Sequence, residues 1–126
     1  MTDMLERGLA WLEEQRHERR TAPVVYRRGA TETTLQATVG RTLFSTEDAY
    51  GRLQHVESRD YLVRAEDLVL AGVKTLPESG DEIMEAEDAD GHVYEVMAPG
   101  GEPAWRWSDP YRKTLRIHTK QTGGAL

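Results

Sequence analysis

The stretch Tyr94–Lys120 reads YEVMAPGGEPAWRWSDPYRKTLRIHTK, and its reading decides the fold. Strand-like runs flank a loop dense in Gly, Pro and Trp. In the last run Leu115 and Ile117 share one face while Arg116, His118 and Lys120 share the other, the period of two of a half-buried strand with a basic outer face. Trp105 and Trp107 sit two positions apart and so face one side of a preceding strand. Rings at that spacing serve as core or subunit anchors more often than as a ligand platform. Glycines and a proline in GGEP turn the chain between the runs.

Working back from this stretch, Asp90-Gly91 between IMEAE and HVYEVM is the strongest hairpin signal in the chain. Pro77, Ser79 and Gly80 mark a turn before the strand that begins at Ile83–Met84. Arg59–Arg64 (RDYLVR) reads as a short strand, and AEDLVL after it as one helical turn or an extended edge. Thr34–Val39 alternates strictly, with Leu35, Ala37 and Val39 on one face. A turn at Gly29–Thr31 joins it to the β-type run VVYRR after Pro23, which makes a hairpin. Residues 40–58 show no clean period. They read as a long loop used for interaction, with a pair of strands as the alternative.

Residues 3–19 read as one helix, with a capping-box-like start at Asp3 and Glu6 and an apolar stripe of Leu5, Leu9 and Leu12. From Glu13 on it is wholly polar, so Trp11 and the Arg-rich end (Arg16, Arg19, Arg20) either pack beside their own domain or sit at a subunit boundary. Residues 121–126 read as a frayed tail. The expected fold is mainly β: a small antiparallel barrel or sandwich of about six strands with an N-terminal α-helix, in a single domain over 1–126.

A chain of 126 residues suits one domain with a real core. It has no cysteine, hence no disulfide, thiolate nucleophile or thiolate metal site. A net charge of −6 argues against a main role in gripping nucleic-acid phosphates. No long apolar run offers a membrane helix, and MTDMLERG carries acids where a signal peptide has its positive region, so a cytoplasmic protein is expected. Charge is uneven: Arg16, Arg19, Arg20, Arg27 and Arg28 oppose Glu78, Asp81, Glu82, Glu85, Glu87, Asp88 and Asp90.

No catalytic signature is present. His17, His55, His92 and His118 form no ligand-spaced pair, and no metal or cofactor is expected, although His118 could meet a remote carboxylate in space. Asp88-x-Asp90-Gly91 begins like a calcium loop, but Met97 stands where the bidentate Glu belongs. No serine lies in a nucleophile elbow, and the Gly-rich pieces lack the lysine and following helix of a phosphate loop.

LPESGDE at Leu76–Glu82, YEV at Tyr94–Val96 and the run Trp105–Lys120 together resemble the head–tail joining, adaptor or stopper proteins of tailed phages and prophages. The similar pieces span residues 59–120, and EPAWRWSDPYRKTLRIHTK is similar to a C-terminal signature of proteins from prophage-like gene clusters. The resemblance implies a small barrel or sandwich with an appended helix. Its copies would form a ring at the virion neck, contacting portal and tail proteins, with DNA passing through the lumen without specific binding and no membrane contact. The implied interface residues are Trp11, Arg16, Arg19, Arg20, Glu82, Glu85, Trp105, Trp107, Arg116 and Lys120. In such a ring the basic and acidic tracts would meet head to tail, and acids around the lumen would repel the DNA backbone. The alternative is a small-ligand- or carbohydrate-binding β-barrel using Trp105, Trp107 and Tyr111. A third reading, a hydrolase, would need a buried His–carboxylate pair in a cleft.

Overall fold

The computed structural model describes residues 21–123. The expected helix over 3–19, with Trp11, Arg16, Arg19 and Arg20, lies outside the described residues, as do residues 124–126. Nine strands follow among the described residues: β1 (Thr21–Arg28), β2 (Thr31–Glu47), β3 (Leu53–Arg64), β4 (Val69–Leu70), β5 (Val73–Lys74), β6 (Glu82–Glu85), β7 (Val93–Val96), β8 (Trp105–Trp107) and β9 (Thr114–Gly123). Seven make one antiparallel sheet in the order β3-β2-β1-β6-β7-β9-β8, and β4 with β5 makes a small separate hairpin. No helix among the described residues is long and apolar enough to cross a membrane.

The sheet curls, because β3 also pairs with β9. β9 divides its length between partners: Thr114–Thr119 faces β3, whereas Thr119 to Gly123 faces β7. Thr119 is matched by both Arg59 of β3 and Val96 of β7, while Leu115, Arg116 and Ile117 lie between β3 and β8. Thr119 is fully buried, and its hydroxyl donates to the Arg59 carbonyl at 2.6 Å. The molecule is therefore a curled sheet that returns on itself through the six-pair β3–β9 ladder, Arg59↔Thr119 to Arg64↔Thr114, not a barrel closed along whole strands. The mainly β, antiparallel class holds; the closed form of the barrel does not.

Two sequence expectations give way here. Residues 40–58 are not a loop but the alternative pair of strands: Arg41 to Glu47 pairs with Leu53 to Arg59 in register, extending the β2–β3 hairpin far beyond the rest of the sheet. The expected tail also starts too early, since residues 121–123 continue β9. Other elements fall as the residue pattern predicts, including the turn at Gly29 and the β6–β7 hairpin around Asp90-Gly91.

Alternation builds the core. Val24 and Tyr26 of β1, Leu35 and Ala37 of β2, Tyr61 and Val63 of β3, Ile83, Val96, Leu115 and Ile117 all point to the concave side and are buried. Two polar clusters sit at opposite ends of β6, with Ile83 between them. At one end the buried Tyr26 hydroxyl donates to Asp81, which also accepts Arg28 through Nε at 3.0 Å and Nη2 at 2.8 Å. At the other, Tyr61 donates to Glu85 at 2.8 Å, and Arg59 reaches both groups. Burial, and then the neighbouring Asp81 anion, push the Tyr26 phenol far above its ordinary range, so it remains a donor.

Tyr26→Phe keeps the ring but leaves Asp81 one donor short in a buried position. It is expected to lower the unfolding free energy by about 1–3 kcal/mol. Urea denaturation of the two proteins measures this directly; coincident midpoints would show that the hydroxyl anchors nothing.

Candidate functional site

The feature that sets this chain apart is the outer part of the β2–β3 hairpin. The β1–β2 ladder ends at Thr21↔Thr38, and the β3–β9 ladder ends at Arg59↔Thr119. Beyond those pairs, among the described residues, β2 and β3 have only each other as strand partners. Nine residues, Val39 to Glu47, take eight steps of strand rise and make an arm of roughly 27 Å. An isolated two-stranded hairpin is marginal in water, so the arm needs a stiff root and a well-made tip.

The tip is set by local chemistry. Asp48 Oδ1 accepts the backbone N–H of Tyr50 at 2.8 Å and of Arg52 at 2.9 Å. Gly51 supplies the left-handed backbone the turn requires, at φ 76°. Tyr50 is thereby held at the extremity, 87% exposed. Behind it Leu43 and Leu53, 67% and 69% exposed, lie on the face that continues the core side. Phe44 and Val56 are cross-strand partners on the opposite face. Phe44 leans on His118, whereas Leu43, Tyr50 and Leu53 stand in solvent, a poor arrangement for a lone molecule and a good one for a contact surface.

The root is a buried carboxylate. Asp60 is fully buried on the convex face of β3. Its Oδ1 accepts Ser58 Oγ at 2.5 Å and His118 Nδ1 at 2.9 Å. Its Oδ2 accepts Arg116 Nη1 at 2.7 Å and the Thr42 hydroxyl. Four donors from β2, β3 and β9 thus fill the acceptor positions of one anion. Burial opposes its ionisation, but the hydrogen bonds from His118, Ser58, Thr42 and Arg116 outweigh that and hold the carboxyl well below the usual carboxylate range. Gly40 makes room for this: a Cβ there would stand 3.3 Å from Leu62 Cδ1 and 3.4 Å from Arg116 Nη1. The connection between β7 and β8 covers the network, with Met97 N–H bound to the His118 carbonyl at 3.0 Å and His118 N–H to the Ala104 carbonyl at 2.8 Å. The Phe44 ring meets His118 edge-on at 5.1 Å.

Several expected site residues are placed differently from the sequence reading. Arg116 and His118 do not form an open basic face with Lys120; both turn onto Asp60, and only Lys120 is exposed. Glu82 is taken by Arg27 at 2.9 Å and Glu85 by Arg59, so both acids are paired within the chain. Trp105 and Trp107 pack against the core and against each other, with ring centroids 5.2 Å apart. Tyr111 is 79% exposed on another loop, so the three aromatics do not share one pocket. A buried His–carboxylate pair does exist. Ser58 and Asp60 both lie at the same His118 nitrogen, however, and Ser58 donates its proton to Asp60. The relay that activates a serine needs them on opposite nitrogens. Asp88, Asp90 and His92 bring ligand atoms within 4.8 Å of one another, but Asp88 is engaged by the amides of Asp90 and His92 as a turn cap.

A carboxyl that binds its proton less readily folded than unfolded costs stability as pH falls through the carboxylate range, because the unfolded chain then holds more protons. Stability should therefore be full above about pH 5 and decline steadily below pH 4. Asp60→Asn should lose roughly 3–5 kcal/mol at pH 7 and show a flatter acid limb. Urea melts from pH 2 to 7 test both, and an equally steep limb in the variant would assign the effect to other carboxylates.

A comparison with curated proteins gave no match. A family model described as phage head-tail joining protein matches residues 2–125, nearly the whole sequence. With a mainly β fold and a projecting arm already in hand, that match decides the relationship: the chain belongs to the phage head-tail joining protein family.

Proposed function

We propose that the chain is a structural component of the phage neck, joining the head, through the portal, to the tail as one of several copies in a ring. Its place of action is then the virion neck, and DNA passes the assembled copies without sequence-specific contact. Membership of a structural family supports a non-enzymatic role. The observation that carries the reading is the arm: Leu43, Tyr50 and Leu53 stand in solvent on a ribbon whose two edges have no strand partner among the described residues. Packing that ribbon on a neighbouring copy or on the portal would bury its apolar side chains and satisfy its edges.

This reading moves the expected contact. The sequence suggested that arginines 16–28 of one copy meet acids 78–90 of the next. Arg27 and Arg28 instead pair with Glu82 and Asp81 of their own chain, across the β1–β6 ladder. An apolar arm takes over the role given to those charges. The ligand-binding alternative has less support, since Trp105 and Trp107 are used in packing.

The double substitution Leu43→Asp with Leu53→Asp touches only exposed positions and should leave the melting temperature of the isolated chain nearly unchanged. It should abolish self-association and portal binding, measured by light scattering on a sizing column with and without portal protein. Wild-type chain that stays monomeric under every condition, portal included, would overturn the proposal; so would unaltered assembly by the double variant.

A further inference from the structure

A second surface is unlike the arm in every respect. At the end of the sheet where β3 gives way to β4, and where the 108–113 loop leads into β9, lies an open cleft of about 520 Å³. Arg64, Lys74, Arg112 and Lys113 line it together with the acids Glu66 and Asp109. The four cations are exposed, and none makes a side-chain hydrogen bond or ion pair among the described residues. Elsewhere Arg27, Arg28, Arg41, Arg59 and Arg116 all find carboxylates. In a chain of net charge −6, a concavity that gathers unpaired cations calls for an anion from outside.

The cleft is also built with some rigidity. Asp109 Oδ1 accepts the backbone N–H of Lys113 at 2.9 Å and of Thr114 at 2.8 Å, which locks the loop. One oxygen of its carboxylate is therefore taken by the loop's own amides. Arg112 is held in the left-handed backbone region at φ 58°, where glycine or asparagine would be cheaper. Lys113 is tied to the other wall by its carbonyl, which accepts the Ala65 N–H at 2.8 Å. The ends of β3 and β5 and the 108–113 loop thus present cations to one opening.

We infer that this cleft binds phosphate groups of a nucleic-acid backbone, with double-stranded DNA as the ligand. Exposed cations spread over an open concavity suit a polyanion passing across the surface better than a small ion captured in an enclosed pocket. The contact carries no base information, because nothing in the cleft is shaped to read base edges. It is weak in a single copy, opposed by the acidic charge of the whole chain, and would be multiplied wherever copies are held together. The inference stands on the cleft alone and does not depend on ring assembly.

The test is fluorescence anisotropy of a labelled random-sequence duplex titrated with the full chain at 50 and 200 mM NaCl. Binding at low salt that weakens about tenfold or more at the higher salt is expected for two to four phosphate contacts. Arg112→Glu with Lys113→Glu should remove at least tenfold of the low-salt affinity. Arg106→Glu with Lys120→Glu, which changes net charge equally on other faces, should lose far less. Sodium phosphate at matched ionic strength separates the sources: displacement no better than by chloride assigns the cleft to the polyanion. Selective displacement at low millimolar phosphate would overturn the DNA assignment and leave a free-anion site. Equal losses in the two double variants, or no binding by the wild type at 50 mM, would overturn the inference altogether.

Discussion

One buried carboxylate, Asp60, ties the register of three strands together. An unpaired carboxylate inside a protein is untenable, and a partly satisfied one is worse than an apolar side chain in its place. Asp60 is tolerable only because four donors reach it, and those donors belong to three strands. Each strand must therefore hold its register. A one-residue slip of β9 would move Arg116 and His118 to the core side and expel Leu115 and Ile117. Core and network thus read the same alignment from opposite faces of one strand.

The network also sits where mechanical support is most needed. The sheet loses its flanking strands just beyond Asp60, and the arm continues alone. Thr42 and Ser58, the directly opposed pair at the arm's base, are both bound to that carboxylate. The acid-rich tract from 78 to 90 is handled in a similar way. Asp81, Glu82 and Glu85 are consumed by Arg28, Arg27 and Arg59, which leaves the flank of the sheet largely neutralised. What remains for partners is an apolar projection at one side and a basic cleft at another.

Much of the sheet was legible in the sequence because burial on one face writes a period of two. Leu35 and Ala37, and Leu115 and Ile117, carry that signal plainly. The arm was not legible for the complementary reason: its face carrying Val39, Arg41, Leu43 and Ser45 is exposed and the other, with Gly40, Thr42 and Phe44, only half-buried, so apolar Leu43 and Phe44 occur side by side and mask the alternation. The carboxylate network was hidden differently. Ser58, Asp60, Arg116 and His118 occupy alternate positions on two strands, a faint polar period of two, but 58 residues separate Asp60 from His118. Only knowledge that β3 pairs with β9 turns a basic outer face into an ion-paired interior. Likewise, the acids of β6 look solvated until β1 is known to lie beside them.

The arm has a consequence for the free chain. Two unsatisfied strand edges and exposed leucines are the ingredients of indiscriminate aggregation. The same ribbon carries Arg41, Glu47, Asp48, Arg52 and Glu57, charges of both signs spread along its length. Any intruding strand that ignores this sequence of signs would bring like charges together, whereas a surface that matches it would meet no such penalty. On the assembly proposed above, these charges would act as gatekeepers that disfavour strand partners of the wrong charge order.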